Sequence, residues 1–255
     1  MTSVINRVYK SRNSIRGIYQ DYEWDTSTIP DLRPQDLEAM FNVYSTSEPE
    51  LTAMGDGMVF TLRLPHRLIQ NHNLVVLYYN LSNNGSKSSK TTKSIVDKIN
   101  ALYQSNYLQH DDSLLILVNE PQSPSLDKIN HMIQHSIRKE YTLSPELDNY
   151  IYKLDSKSDM QRYNPSMFRQ CVLLSLDMYQ INVLQHELVP KHEIIYDKRE
   201  IKQIQSKLNV TDTQMPVIHK SDIIAKIIRL NVGDVCQIVR HSTKCGESMY
   251  YRICR

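Results

Sequence analysis

The sequence predicts an α/β N-terminal domain over residues 1–185 and a small α+β C-terminal domain, a helix plus a sheet, over residues 186–255. Three observations lead to this. Continuous apolar runs at Leu74–Tyr79 and Leu114–Val118 alternate with helix-periodic segments, the order of a sheet with crossover helices. Met215–Arg255 divides into a capped helix and two turn-bounded strands. At 255 residues, 40% hydrophobic and 23% charged, the chain exceeds the usual size of one domain and has a globular composition.

Val4–Trp24 reads as an amphipathic helix, with Ile5, Val8, Tyr9, Ile15, Ile18, Tyr19 and Tyr22 inward and Lys10, Arg12 and Arg16 toward solvent. Gly17 weakens its middle by about 1 kcal/mol relative to alanine. Pro30 and Pro34 break the chain, and Gln35–Tyr44 carries a second apolar face of Leu37, Met40, Phe41 and Tyr44. Ser45–Gly57 is turn-rich, Met58–Leu64 alternates as a strand, and Leu74–Tyr79 is a strand buried on both faces. Asn80–Ser94, rich in Asn, Ser, Lys and Thr, is expected to be a mobile loop. Ile95–Leu108 is a helix with Ile95, Ile99, Leu102 and Tyr103 inward. It can cross over between the Leu74 and Leu114 strands, which makes them parallel.

Ser123 caps the next helix, Pro124 takes its first position, and Leu126, Ile129, Ile133 and Ile137 form its apolar face. Tyr141–Met167 is expected as an irregular insertion with a short strand near Tyr150. Met167–Asp177 is expected as a helix, Tyr179–Leu184 as a returning strand, His186–Pro190 as the connector, and Glu200–Leu208 as a short helix. In the tail, Pro216 fixes an extended segment, and Ser221 or Asp222 caps a helix whose face is Ile223, Ile224, Ile227 and Ile228. Asn231–Asp234 is a turn in which Gly233 takes a positive φ. Val235–Val239 and Met249–Cys254 are strands on either side of a second turn near Gly246.

The net charge of +2 is uneven: residues 190–255 hold 12 Lys or Arg against 7 Asp or Glu, +5, and the remainder is −3. A basic tail suits a nucleic-acid neighbour or an acidic protein surface, and equally an ordinary solvated face. Four cysteines, Cys171, Cys236, Cys245 and Cys254, form no CxxC pair, which argues against structural zinc. No apolar stretch has bilayer length, so no membrane partner is expected, and the absence of a signal peptide predicts reduced cysteines. Tyrosine is abundant, 16 against 3 Phe and 1 Trp, giving amphipathic contact area without naming a partner.

Catalytic and metal signals are weak. His186-Glu187 and His192-Glu193 lack the HExxH spacing, and His131 and His135, four apart on a helix, read as solvent-facing. Asp111-Asp112 before a strand offers half of a Mg²⁺-dependent nuclease site, but the strand supplies no further acid or lysine, so a turn or cap is the better reading. His241, Ser242 and Cys245 near the tail show no poised nucleophile and base. Gly55-Asp56-Gly57 is too short for a phosphate cradle. Lys87, Lys90 and Lys93 can brush a phosphate backbone, or form a plain lysine loop. No cofactor is called for.

The tail carries an ordered series of motifs. His186-Glu-Leu-Val-Pro190 is followed by Lys191-His192; Met215, Pro216, Val217 and Ile218 stand for a Leu-Pro-x-Ile segment; Asp222–Lys226 for Asp-Pro-x-Ala-Arg. Gly233, Val235, Ile238 and Arg240 follow a Gly-x-Val-x-x-Ile-x-Arg strand, Arg240-His241-Ser242 an Arg-Pro-Ser loop, and Tyr251-Arg252 a terminal Tyr-Arg. Through these motifs, the segment 186–255 resembles the fifth subunit shared by the eukaryotic nuclear RNA polymerases, whose C-terminal half corresponds to the one-domain archaeal form. The order of elements before it is similar to the jaw domain of the eukaryotic form. The chain departs from the pattern at Ile223, where proline is lost, at Arg229, where the family has glycine, and at His241 and Thr243. Such departures resemble those of a divergent lineage, of the kind a large DNA virus with its own polymerase would carry.

The resemblance implies a non-catalytic part of DNA-directed RNA polymerase, with nucleotide addition and its Mg²⁺ in other subunits. The C-terminal domain would dock on the largest subunit through Pro216, Asp222, Ala225, Lys226, Arg240, Ser242, Tyr251 and Arg252. The N-terminal domain would form part of the lower jaw beside downstream double-stranded DNA, with Ser123, Pro124 and Ser125 at its tip and Lys87, Lys90 and Lys93 nearby. A viral enzyme would work in the virion and host cytoplasm, a cellular one in the nucleus.

Overall fold

In the computed structural model, residues 2–43, 58–81, 91–139, 141–158, 165–242, 244 and 246–255 are described. They form two compact units, residues 1–144 with 168–182, and residues 145–167 with 183–255.

The first unit is built on a sheet in the order β1 (Met58–Pro65), β2 (Asn73–Leu81), β3 (Ser113–Val118), β4 (Cys171–Ser175). β1 runs antiparallel to β2, while β2, β3 and β4 are parallel, in the register Leu74↔Ser113 and Leu114↔Cys171. The expected crossover is present: α3 (Ile95–Gln104) joins β2 to β3, and α4 (Pro124–Arg138) follows β3. Every residue of β3 and β4 is buried, as parallel strands covered on both faces require. On one face Leu114, Ile116 and Val118 pack against Ile95, Ile99 and Leu102 of α3 and Leu126 and Ile133 of α4. Toward the other lies α1 (Thr2–Gln20), whose Ser11 hydroxyl meets the Tyr78 hydroxyl at 2.9 Å and whose Tyr19 hydroxyl meets that of Tyr179 at 2.9 Å. α2 spans Pro34–Val43. Of its expected face, Leu37 is buried; Tyr44 and the turn-rich Ser45–Gly57 lie outside the described residues.

Several expectations are corrected here. α1 ends at Gln20, and Trp24 instead bridges to His66. Arg12 is buried rather than solvated, donating to the Pro30 carbonyl at 3.2 Å, and Arg16 donates to the Ile29 carbonyl at 3.0 Å. A long stem and a fixed planar head let arginine satisfy loop carbonyls while covering apolar surface. Gly17 has a neighbour that periodicity did not reveal: a Cβ there would stand 3.3 Å from Asn182 Nδ2. Asn80 and Leu81 belong to β2 rather than to a loop, and α3 stops at Gln104, with Leu108 buried beyond it.

Met167–Asp177 is not a helix. Its apolar run Cys171–Leu174 is strand β4, since four to five residues are too short for a helix and pair along β3. Tyr179–Leu184 is not a strand: short 3-10 turns at Leu176–Tyr179 and Val183–Gln185 take up its two ends, the first capped by the Ser175 hydroxyl. Tyr141–Met167 contains no strand at Tyr150 but helix α5, Pro145–Ser158. Pro145 begins it, Glu146 and Asp148 favour its positive end, and the buried Leu147 and Ile151 sit one turn apart.

The second unit holds a sheet in the order β5-β7-β8-β6, with β5 Lys191–Ile195, β6 Val217–Ile218, β7 Val235–Ser242 and β8 Gly246–Cys254. β7 pairs antiparallel with β5 and β8, and β6 pairs parallel with β8. Helix α6 (Lys198–Leu208) starts at Asp197, whose carboxylate accepts the Arg199 N–H at 2.8 Å. Its Ile204 packs with Met215 on Ile195, Val235 and Ile253, one alternating face of the sheet. Cys236 and Cys254 point to the other face, where burial pushes their thiols up to about 12 and about 11.

Helix α7 (Ile223–Ile227) is capped by Asp222, which accepts from Ile224 N–H at 2.8 Å. Its expected apolar face is corrected: Ile223 is exposed and Ile224 half-buried, while Ala225, Ile227 and Ile228 are buried. A five-residue helix turns too few times for a 3.6-residue stripe to decide burial. It closes with Leu230 N–H bonded to Ala225 O and Arg229 at φ 63°, the left-handed residue that ends many helices. That is the position at which the resemblance expected glycine.

Candidate nucleic-acid and docking surfaces

Because β2 and β3 are parallel, the helices that follow them both begin at the same edge of the first sheet. At this edge Ser123 is extended (φ −145°) and its hydroxyl accepts the Leu126 N–H at 3.3 Å, with Pro124 in the first turn. Pro124 and Ser125 are exposed. Lys93, also exposed, lies in the turn that opens α3. Sheet topology therefore brings Lys93 and Ser123–Ser125 to one edge; Lys87 and Lys90 lie outside the described residues.

Residues that sequence reasoning passed over build this edge. Thr91 donates its N–H and its hydroxyl to Glu120, tying the start of α3 to the loop after β3. Gln122 donates to Asp127 at 2.9 Å and accepts the Ser175 N–H at 3.1 Å, tying that loop to β4. Arg7 of α1 binds the side chains of Asn119 and Asp177. No local pattern marks these residues, because each acts on a partner distant in sequence. The Ile95 and Val96 N–H groups bond to the Thr92 and Lys93 carbonyls, and those of Leu126 and Asp127 bond to Ser123, so what the two helix N-termini offer an anion is chiefly partial positive charge. Asp97, Glu120 and Asp127 place carboxylates nearby, so the edge suits weak contact with a phosphate backbone rather than tight capture.

The paired aspartates serve the fold. Asp111 accepts from the hydroxyls of Tyr141 and Ser144. Asp112 accepts from Asn73 N and Nδ2 at 3.0 Å each and from Gln109 N at 3.1 Å. Burial raises the Asp112 pKa above the usual carboxylate range against the pull of those donors. His131 and His135 are exposed on α4. Among the described residues no group of three or more His, Cys, Asp or Glu side chains is placed to hold a metal. No helix among them is long and apolar enough to cross a membrane.

In the second unit the eight residues expected at a docking surface divide. Pro216 is exposed and its carbonyl accepts Ile253 N–H at 2.9 Å; Asp222 is the cap of α7. Ala225 is 0% exposed, and Lys226 is buried beside it. Arg240 is exposed, its guanidinium 5.7 Å from the Tyr250 ring centre. Arg252 shares that face by strand alternation and donates to Val217 O at 3.2 Å. Ser242 pairs with Gly246 at the end of the hairpin, and its hydroxyl accepts Lys244 N–H at 3.4 Å. Tyr251 faces the opposite way, packed on the Ile195–Val235–Ile253 cluster. Arg240, Tyr250 and Arg252 thus form one surface, from which Ala225 and Lys226 are absent. Thr243 and Cys245 lie outside the described residues.

Comparison with known proteins falls on this second unit. The profile of the RNA polymerase Rpb5 C-terminal domain matches residues 181–254. The chain is 43% identical over 76 residues to the DNA-directed RNA polymerase subunit Rpo5 of Methanosarcina acetivorans, a match of 30% of this chain and 96% of the relative. It is 41% identical over 71 residues to the Rpo5 of Staphylothermus marinus, 28% of this chain and 77% of the relative. To the Rpo5 of Thermofilum pendens it is 34% identical over 74 residues, 29% of this chain and 91% of the relative. With a relative of 43% identity matched over 96% of its length, and the family profile matched by residues 181–254, this chain belongs to the Rpb5/Rpo5 family of DNA-directed RNA polymerase subunits.

Proposed function

We propose that the chain is a non-catalytic subunit of DNA-directed RNA polymerase, docking on the largest subunit through its C-terminal unit and contributing to the lower jaw beside downstream DNA. The observation that carries this reading is the match over residues 181–254, which covers the entire β5–β8 sheet. Docking draws on the exposed members of the expected set, Pro216, Asp222, Arg240 and Arg252, and on the half-buried Ser242, with Tyr251 holding the hairpin to its core. Ala225 and Lys226 act from inside, shaping α7. The jaw role draws on the edge where α3 and α4 begin. Backbone contacts there hold duplex DNA by position and without sequence preference.

Purification of the tagged chain from its native source, with mass spectrometry of what accompanies it, tests the assembly. The two large polymerase subunits are expected. Absence of the chain from an otherwise complete polymerase overturns the reading. In the same experiment Arg240→Ala and Tyr251→Ala should reduce incorporation more than Lys87→Ala, with unfolding temperatures measured alongside; equal incorporation of all three contradicts the assignment of the hairpin. For the jaw, Lys93→Glu in the assembled enzyme should reduce crosslinking to downstream duplex while leaving incorporation unchanged. We further infer a virion and cytoplasmic location if the polymerase is viral and a nuclear one if it is cellular, which fractionation of the source distinguishes.

A further inference from the structure

β8 runs from Gly246 to Cys254 and pairs with β7 along its length, from Ser242↔Gly246 to Val235↔Ile253. On its other side β6 covers it only at Ile253 and Cys254. Two bonds fix how the backbone groups of β8 point. The Ile253 N–H turns outward, to the Pro216 carbonyl at 2.9 Å, and the Cys254 N–H turns inward, to the Asp234 carbonyl at 2.8 Å. These directions alternate along an antiparallel strand, so the N–H and C=O groups of Glu247, Met249 and Tyr251 also face outward. Among the described residues nothing pairs with them.

Natural proteins protect such edges with proline, a bulge or charge. Here the register with β7 is unbroken, and Glu247 at the tip is the one charged residue of the three. The stretch is also apolar where it is bare: Met249 is 61% and Tyr250 47% exposed. The two sheet faces differ. Met249 and Tyr251 lie on one; Tyr250 lies on the other with Arg240 and Arg252, neither of which has an ion-pair partner among the described residues.

We propose that the outer edge of β8, Glu247–Tyr251, is completed by an extended strand of the neighbouring polymerase subunit, apolar over Met249 and Tyr251 and acidic opposite Arg240 and Arg252. This rests on the docking reading above and adds its mode of recognition. Regularly spaced, unpaired N–H and C=O groups match extended backbone and not a helix. A second copy of this chain fits poorly, because antiparallel pairing of two such edges sets Arg240 and Arg252 of both copies on one face, like charge beside like.

Proline separates the backbone from the side chain. Met249→Pro removes an outward N–H and leaves the bonds to β7 in place, whereas Met249→Ala keeps the N–H and removes the side chain. In affinity purification of the full-length tagged chain, M249P should recover at least tenfold less of the large polymerase subunits than wild type, and M249A less than threefold less. Should M249P lower the unfolding temperature, Glu247→Pro removes a second outward N–H nearer the hairpin tip and is read the same way. Recovery by these folded proline variants equal to wild type overturns the proposal while leaving the docking reading intact. A wild-type chain that recovers no large subunit overturns the docking reading itself. Self-association of wild type that M249P abolishes without changing subunit recovery assigns the edge to a second copy, and also overturns the proposal.

Discussion

The two sheets of this chain contrast in how far each is finished by its own sequence. β3 and β4 are buried along their full lengths, with helices supplying both faces of the first sheet. In the second sheet one end is packed by α6 while the hairpin beyond it exposes Met249, Tyr250 and the outer backbone of β8. A strand buried on both faces presents no side chains to a partner. A half-covered hairpin with an open edge leaves apolar area and hydrogen bonds for a partner. The family match lies over the open sheet. The contrast therefore separates a closed sheet from one with an unfilled edge.

Substitutions should sharpen that contrast, beginning with the closed sheet. Leu115→Ala, in a strand with no exposed residue, should cost about 2–5 kcal/mol of unfolding free energy in a denaturant titration. A loss under about 1 kcal/mol would mean the first sheet is not the rigid body described.

Acid should weaken the first unit through His66. Its Nδ1 accepts the N–H groups of Leu68 and Ile69 at 3.2 Å each, and burial lowers its pKa to about 4. Unfolded, this imidazole takes up a proton near pH 6.5; folded, it resists until about pH 4. The unfolded chain thus binds more protons in that window, and stability falls as pH falls, by roughly 3 kcal/mol across it. His66→Asn keeps an acceptor and removes the titration, so the difference in stability between wild type and H66N should shrink between pH 6.5 and pH 4. A pH-independent difference refutes the assignment.

Smaller effects compare the helix starts of the two units. Ser123→Ala and Asp222→Ala each remove a side-chain cap and should cost about 1 kcal/mol in thermal or denaturant unfolding. Gly233→Ala should cost a similar amount, roughly 1 kcal/mol, from backbone conformation alone. Its φ is 94° and no atom lies within 4 Å of an added Cβ. The smallest effect belongs to the open hairpin. Met249→Ala should change unfolding free energy by less than about 0.5 kcal/mol; a loss comparable to Leu115→Ala would make Met249 a core residue and erase the contrast.

How much was legible in the chain depended on whether the deciding contacts were local. The Ser123-Pro124 helix start, the Asp222 cap and the Gly233 turn were read from neighbouring residues, since a cap or a positive φ is settled within a few positions. The parallel pairing of β2 and β3 followed from the helix between them. Cys171–Leu174 was misread because a short apolar run has no period that separates helix from strand; β3 beside it decides. Helix α5 was obscured by its polar composition, although Leu147 and Ile151 carried the spacing. Of the expected surfaces, Ala225 and Lys226 looked available and are buried, because α7 is too short for pattern alone to fix its orientation.

Residue order was therefore enough to specify the fold class, the capped starts of α4 and α7, the hairpin and the family, all of which depend on near-neighbour chemistry and motif spacing. Only the assembled fold brings Lys93 and Ser123 to one edge, braces that edge with Arg7, Thr91 and Glu120, and leaves one side of β8 open. Those outcomes turn on which backbone groups and side chains meet across long stretches of chain. A local pattern does not encode that meeting; packing and hydrogen-bond satisfaction throughout the molecule select it.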